Sequence, residues 1–167
     1  MPESKNKSRL EQIAELFISH DVRFIVIGGQ AEYLFGSPRV TYDIDLCYER
    51  SAENLEKLAT ALRELKPTLR GAPADLPFIL DAKSLALGSN FTFNTSLGPL
   101  DLLGWVEPLG DFAGVAKHAT TVDLQELKLL VISLDDLIRV KEHIRRPKDR
   151  ESLMQLQAIK KLRDAKQ

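Results

Sequence analysis

The spacing of apolar residues divides the chain into predicted helices and strands. Apolar side chains at three- and four-residue spacing predict an amphipathic helix over residues 9–20. Residues 22–27 (Val-Arg-Phe-Ile-Val-Ile) are almost continuously apolar and β-branched, which predicts a buried strand. The chain therefore begins with a helix followed by a strand that belongs to the core of a sheet.

The same pattern predicts the remaining elements. Further strands are expected at 41–48, 90–96, 100–106, 120–124 and 127–132. Further helices are expected at 30–35, after the N-cap Ser51, at 111–118, after the N-cap Ser133 (134–144) and from Pro147 to about residue 165. The proline-rich segment 66–87 is expected to be a connection with one short strand or turn, and Gly98-Pro99 is expected to be a turn.

This order of elements predicts an α/β fold. We expect a small mixed sheet with flanking helices and a C-terminal helical hairpin. A chain of 167 residues is long enough for one domain, so residues 1–167 are assigned to a single unit. Within it, residues 9–132 form the sheet-and-helix core and residues 133–165 form the helical hairpin.

Composition and charge narrow the functional classes. Cys47 is the only cysteine, which excludes an intramolecular disulfide and fits a reducing cytoplasm. No apolar run is long enough to span a bilayer, so a cytoplasmic protein without a membrane partner is expected. The net charge is −1, but residues 141–167 hold nine basic and four acidic residues. A basic C-terminal segment suits contact with phosphates, although it also describes an ordinary solvated helix.

Three aspartates carry the candidate chemistry. Asp43 and Asp45 lie two residues apart in a predicted strand, so their side chains point to the same face. Asp101 lies in a second apolar strand, between Leu100 and Leu102. Carboxylates inside apolar strands are unfavourable unless a cation compensates them, and clustered oxygen ligands suit Mg²⁺ that carries a nucleoside triphosphate.

A glycine pair stands upstream of these acids. Gly28 and Gly29 separate the first strand from a short predicted helix, where the absence of side chains lets a phosphate approach the backbone. Arg39 lies between the glycines and the acids and could pair with Asp101 or with a phosphate. Trp105 is expected in the core, and Cys47 is expected to serve packing, since no base is recognisable beside it.

These motifs resemble the DNA polymerase β-like nucleotidyltransferase superfamily. The resemblance rests on residues 25–31 (Ile-Val-Ile-Gly-Gly-Gln-Ala), 39–46 (Arg-Val-Thr-Tyr-Asp-Ile-Asp-Leu) and 100–102 (Leu-Asp-Leu). Residues 133–141 and 146–149 are similar to one bacterial branch, which includes standalone enzymes and abortive-infection toxins of toxin–antitoxin pairs. Gly29 stands where many members have serine, and Gly-Gly is usual in the bacterial branch.

The resemblance implies an activity and a set of roles. It implies transfer of a nucleoside monophosphate from an NTP to a hydroxyl of an RNA 3′ end, a protein or a small molecule, with an antitoxin as a possible partner. Mg²⁺, or Mn²⁺ in its place, would be held by Asp43, Asp45 and Asp101, and Asp101 would also accept the proton of the attacking hydroxyl. Lys141 would reach the triphosphate or the acceptor, together with Gly28, Gly29 and Arg39.

Two other functions remain open from the sequence. A degenerate nucleotidyltransferase fold that binds a partner is one, although the presence of all three acids weighs against it. A metal-dependent glycosyltransferase also uses an Asp-x-Asp pair, but the upstream Gly-Gly and the short chain argue against that assignment.

Overall fold

The computed structural model describes residues 6–39, 41–73, 75 and 78–166. Its strands are β1 (Phe24–Ile27), β2 (Ile44–Tyr48), β3 (Thr68–Leu69), β4 (Asn90–Thr95), β5 (Gly98–Leu103), β6 (Thr120–Leu124) and β7 (Leu127–Val131). Its helices are α1 (Arg9–Ser19), α2 (Gly28–Leu34), α3 (Ala52–Arg63), α4 (Ala82–Ala86), α5 (Phe112–Ala116), α6 (Leu134–Ile144) and α7 (Arg150–Ala165). A 3₁₀ turn, Pro147–Asp149, leads into α7.

The strands within these residues form one mixed sheet in the order β3-β4-β5-β2-β1-β7-β6. At its centre, β2 pairs antiparallel with β1 and parallel with β5, while β1 pairs parallel with β7. Helices flank the sheet, and α6 and α7 pack against each other at the C-terminal end. The predicted α/β fold, with a small mixed sheet and a C-terminal helical pair, is confirmed.

Local sequence signals explain why the main helices begin where they do. Ser8, Ser51 and Ser133 each accept a hydrogen bond from a main-chain N–H in the first turn of α1, α3 and α6 respectively. Such N-caps satisfy donors that have no partner inside the helix. The apolar stripes of α1 and α3 are buried in the same core as β1, which is buried along its whole length.

Several element boundaries differ from the sequence prediction. β2 begins at Ile44, so Asp43 precedes the strand instead of lying within it. Gly98 and Pro99 begin β5, and the turn lies at Ser96-Leu97. Proline is tolerated there because β5 pairs with β4 alone at that point; its ladder with β2 begins one residue later, at Leu100.

The proline-rich connection is more ordered than expected. Within its described part it contributes the two-residue strand β3, which pairs antiparallel with β4, and the short helix α4, which is capped by Asp81. Residues 74, 76 and 77 of this prediction lie outside the described residues. Among the helices that are described, none combines the length and the apolar character needed to cross a membrane.

Candidate active site

Asp45 and Asp101 are brought together by the parallel pairing of β2 and β5. The register aligns Asp45 with Asp101, between the buried pairs Ile44–Leu100 and Leu46–Leu102. Because aligned residues on neighbouring strands point to the same face, the two carboxylates lie side by side. The buried leucine and isoleucine pairs fix this register, since a shift of one residue would turn the acids into the core.

The pair is electrostatically strained. Asp45 Oδ1 and Asp101 Oδ1 are both buried and have no hydrogen-bond partner. Burial raises the pKa of Asp45 to about 7, with further contributions from the neighbouring Asp101 carboxyl group and from the charge of Asp43. The positive charge of Arg70 opposes this shift in the pKa. An arrangement of this kind favours a proton or a cation between the two acids.

Asp43 is placed at the mouth of the same site. It is exposed and lies immediately before β2, close enough for its charge to act on Asp45. Gln30 donates from Nε2 to the Asp43 main-chain oxygen at 3.4 Å. Arg9 ties this segment to the β4–β5 turn, since its guanidinium donates to the main-chain oxygens of Tyr42 and Leu97.

The glycine pair faces the acids at close range. Gly28 has φ +65°, a conformation that residues with a side chain rarely adopt, and a Cβ placed there would overlap Asp45 Oδ2. A Cβ at Gly29 would lie 2.8–2.9 Å from the Thr41 side chain. Both glycines are therefore required by the close approach of the first turn of α2 to the segment that carries Thr41 and Asp45.

A cavity of about 560 Å³ opens over this group. Gly28, Gly29, Asp43 and Asp45 line one side. The opposite side is formed by α6 and the turn that precedes α7, and the cavity has an apolar strip that includes residues of both β5 and α6. Its size and mixed lining suit a ligand with one charged end and one apolar part.

Lys141 lies in this cavity within a buried ion network. Its Nζ is 3.0 Å from Asp149 Oδ1 and 3.3 Å from Glu32 Oε2, and both carboxylates are at most 5% exposed. Arg146 Nε contacts the second oxygen of Asp149 at 2.6 Å. Burial alone would raise the pKa of Asp149, but the hydrogen bonds and charges of Lys141 and Arg146 outweigh it and lower the pKa. The network joins α2 to α6 and to the turn before α7, and the role of Lys141 in nucleotide binding stays a prediction.

Arg39 also lines the cavity, but it does not pair with Asp101, so that prediction is wrong. Its Nη1 donates to Ser152 Oγ on α7. The cation beside Asp101 is instead Arg70, whose Nη2 lies 2.9 Å from Asp101 Oδ1 in a contact outside hydrogen-bond geometry. No local sequence pattern marks Arg70, because its position depends on the pairing of β3 with β4.

Two further expectations concern residues near the site. Cys47 is fully buried, and burial raises the pKa of its thiol to about 12, which agrees with a packing role. Trp105 is 50% exposed and donates from Nε1 to Glu107 Oε1 at 2.8 Å. The prediction that Trp105 lies in the core is wrong, because β5 ends two residues before it.

The chemistry of these acids suits a divalent cation, but their side chains do not form a complete ligand set as they stand. Two unpartnered, buried carboxylate oxygens are the donors that hard divalent cations prefer. Across the part of the chain that is described, however, no three carboxylate, imidazole or thiol groups are arranged to hold a metal ion as the side chains stand. Asp43 is exposed before β2, so assembly of all three ligands requires rotation of the Asp43 side chain.

The fold is that of known nucleotidyltransferases. Lincosamide antibiotic adenylyltransferase LnuA, in a lincomycin-bound crystal structure, is similar with a TM-score of 0.61 and 18% identity, over 90% of this chain and 96% of that one. ANT(2'')-Ia in complex with adenylyl-2''-tobramycin has a TM-score of 0.57 and 16% identity, over 93% of each chain. A Thermotoga maritima protein provisionally assigned as a nucleotidyltransferase has a TM-score of 0.56 and 17% identity, over 87% and 88%.

Likeness at these identities establishes the fold alone. Neither protein-family profiles nor the sequences of curated proteins match this chain. The assignment of roles to individual residues therefore depends on the geometry of the site.

Proposed function

We propose that this protein transfers a nucleoside monophosphate from an NTP to a hydroxyl acceptor, with the help of a divalent cation. The observation that carries the proposal is the Asp45–Asp101 pair, which is aligned across β2 and β5, with Asp45 lying against Gly28 on the wall of a cavity of nucleotide size. The fold shared with nucleotidyltransferases supports it.

Asp45 and Asp101, joined by Asp43 after side-chain rotation, would hold Mg²⁺ or Mn²⁺. When bound, such a cation neutralises phosphate charge and lowers the pKa of a coordinated hydroxyl. Gly28 and Gly29 let the start of α2 lie directly against Asp45 and Thr41, because a side chain at either position would overlap those residues. Lys141 and Arg39 supply positive charge elsewhere on the cavity wall.

In the transfer, the acceptor oxygen attacks the α-phosphorus and the bond to the pyrophosphate oxygen breaks. Asp101 would accept the proton that the hydroxyl loses; its alignment beside Asp45 supports this role. The apolar strip of the cavity suits the base or an apolar part of the acceptor.

The class of acceptor is a separate proposal. LnuA was solved with lincomycin and ANT(2'')-Ia with adenylyl-2''-tobramycin, so proteins of this fold bind small molecules with hydroxyl groups. An RNA 3′ end and a protein hydroxyl are the other acceptors that the motifs suggest. We also propose membership of the bacterial abortive-infection branch, with an antitoxin partner and a cytoplasmic location; co-purification with the product of an adjacent gene tests that part.

The experiment measures the transfer of radioactive label from α-³²P-labelled NTPs to an acceptor. The purified protein is incubated with Mg²⁺ or Mn²⁺ and, in separate reactions, with total RNA, a protein extract or a panel of polyhydroxylated small molecules. Asp45→Asn is expected to abolish labelling, because it removes a charge from the cation site. Asp123→Asn, an exposed strand aspartate away from the cavity, is the matched control and is expected to label like the wild type.

A negative result in this labelling experiment would favour one of two other functions. One observation favours a non-catalytic binding module. Arg70 forms an ion pair with Asp101, and no three possible metal ligands are grouped together among the described residues. NTP binding by calorimetry that is independent of divalent cations, together with an absence of labelling, would favour that module. Transfer from a nucleotide sugar would instead indicate a glycosyltransferase.

A further inference from the structure

Arg70 is anchored more firmly than a surface arginine. Its main-chain N–H donates to Thr92 O at 2.9 Å, and its guanidinium Nη2 donates to Phe93 O at 2.8 Å. The side chain is 33% exposed, and Nε lies 3.4 Å from Asn94 Oδ1. Both ends of the residue are therefore fixed to β4, which limits how far the guanidinium can move.

The sheet register places this guanidinium in line with the acids. β3 pairs with β4 so that Leu69 faces Phe93, and the next residue, Arg70, bonds to Thr92. Thr92 is aligned with Asp101 on β5, and Asp101 is aligned with Asp45 on β2. Arg70, directly after β3, and the strand positions Thr92, Asp101 and Asp45 thus form one row, with the cation at its outer end.

We infer that Arg70 is a positioning residue, which holds the Asp101 carboxylate in place and competes with a divalent cation for it. This inference rests on the proposed function. Asp45 and Asp101 together carry more negative charge than their surroundings compensate, and Arg70 supplies one positive charge at 2.9 Å. A divalent cation bound by the same carboxylate meets the repulsion of this guanidinium, whose movement away is limited by its hydrogen bonds to β4.

Two effects of opposite sign follow. Removal of the guanidinium takes away a competing charge, so a divalent cation binds more tightly. It also frees the Asp101 side chain to rotate, so the acceptor hydroxyl meets a less well-oriented carboxylate and turnover falls. A residue that only stabilised the fold would weaken both cation binding and turnover when it is replaced.

The test compares Arg70→Met with the wild type by two measurements. Mn²⁺ affinity is measured by calorimetry in the absence of nucleotide, and kcat is measured at saturating Mn²⁺ and NTP. We expect Mn²⁺ to bind about 3–10-fold more tightly, given an interaction of two cations in a partly exposed site. We expect kcat to fall by about tenfold or more, with the KM for NTP within about twofold of the wild type.

Two further variants make the result specific. Arg70→Lys keeps the charge but loses the forked guanidinium, so Mn²⁺ affinity should stay close to that of the wild type while kcat falls. Arg50 also donates to main-chain oxygens, those of Ala86 and Gly88, and makes no ion pair with the acids. Arg50→Met is the matched control and is expected to change neither quantity by more than about twofold; thermal unfolding of every variant verifies that it folds.

The outcomes separate this inference from the proposed function. Weaker Mn²⁺ binding in Arg70→Met, or no difference from Arg50→Met, in an enzyme that transfers nucleotides would overturn the inference and leave the function intact. If Mn²⁺ binds more tightly to Arg70→Met but the wild type transfers no nucleotide, the result would support competition between Arg70 and the cation and would count against the proposed function. Binding of Mn²⁺ by neither protein would overturn both.

Discussion

The replacement Asp45→Asn should stabilise the protein in the absence of divalent cations, and only above a certain pH. The pKa of Asp45 is raised from 3.8 to about 7 in the folded protein. Between those two pH values the folded state holds a proton that the unfolded state has lost. The free energy of unfolding of the wild type therefore decreases as the pH rises from about 4 to about 7, and becomes level above that range.

The size of the effect follows from the shift. A difference of about three pKa units at 1.36 kcal/mol per unit gives a loss of about 4 kcal/mol as an upper limit. Asparagine has nearly the shape of aspartate and does not ionise, so the variant lacks this slope. The two proteins should be similarly stable at pH 4.5, and the variant should be the more stable one at pH 8.

Urea unfolding followed by circular dichroism measures this difference. The protein is treated with a chelator and unfolded at pH values from 4.5 to 8.5, with Asp123→Asn as a control for the loss of an exposed charge. Addition of Mg²⁺ should flatten the slope of the wild type, because a ligand of the folded state adds stability. If the free energy of unfolding of the wild type and of Asp45→Asn changes with pH in the same way, the strained acid pair is not the source of the pH dependence.

Three further predictions concern the surroundings of the acids. Gly28→Ala should lower stability by at least about 1–2 kcal/mol more than Gly36→Ala in urea unfolding, because both glycines have positive φ but only a Cβ at Gly28 meets Asp45; equal losses would contradict this. Asp149→Asn should cost about 2–4 kcal/mol, since it removes a buried partner of Lys141; a change below 0.5 kcal/mol in the same assay would show that the network contributes little. Lys141→Ala should weaken NTP binding about tenfold in calorimetry if the lysine contacts phosphate, whereas unchanged affinity would confine it to the network.

Elements with a local signal were predictable from the sequence. The run of buried apolar residues in β1 and the serine N-caps of α3 and α6 each specify their element within a few residues. The pairing of Asp45 with Asp101 was also within reach, because both lie between apolar residues on strands, and the structure places these two acids together. Asp43 lies before β2, because the ladder with β5 begins at Ile44 and the ladder with β1 extends only to Asp45.

Features that depend on distant pairing were not predictable. Arg70 follows a two-residue strand inside a proline-rich segment, and its place beside Asp101 follows only from the registers of β3, β4 and β5. The engagement of Lys141 by Glu32 and Asp149 likewise requires the packing of α2 against α6. In both cases the partner is chosen by tertiary structure, which no spacing along the chain reports.

The two edges of the sheet bear on self-association. The outer strand on one side, β3, is only two residues long, so it offers few free main-chain groups to a strand from another molecule. The outer strand on the other side, β6, has an exposed aspartate, Asp123, near its end. Short or charged edges of this kind discourage edge-to-edge aggregation, and β2 and β5 lie well inside them. Variants that alter the acid pair should therefore remain monodisperse as long as the sheet stays folded.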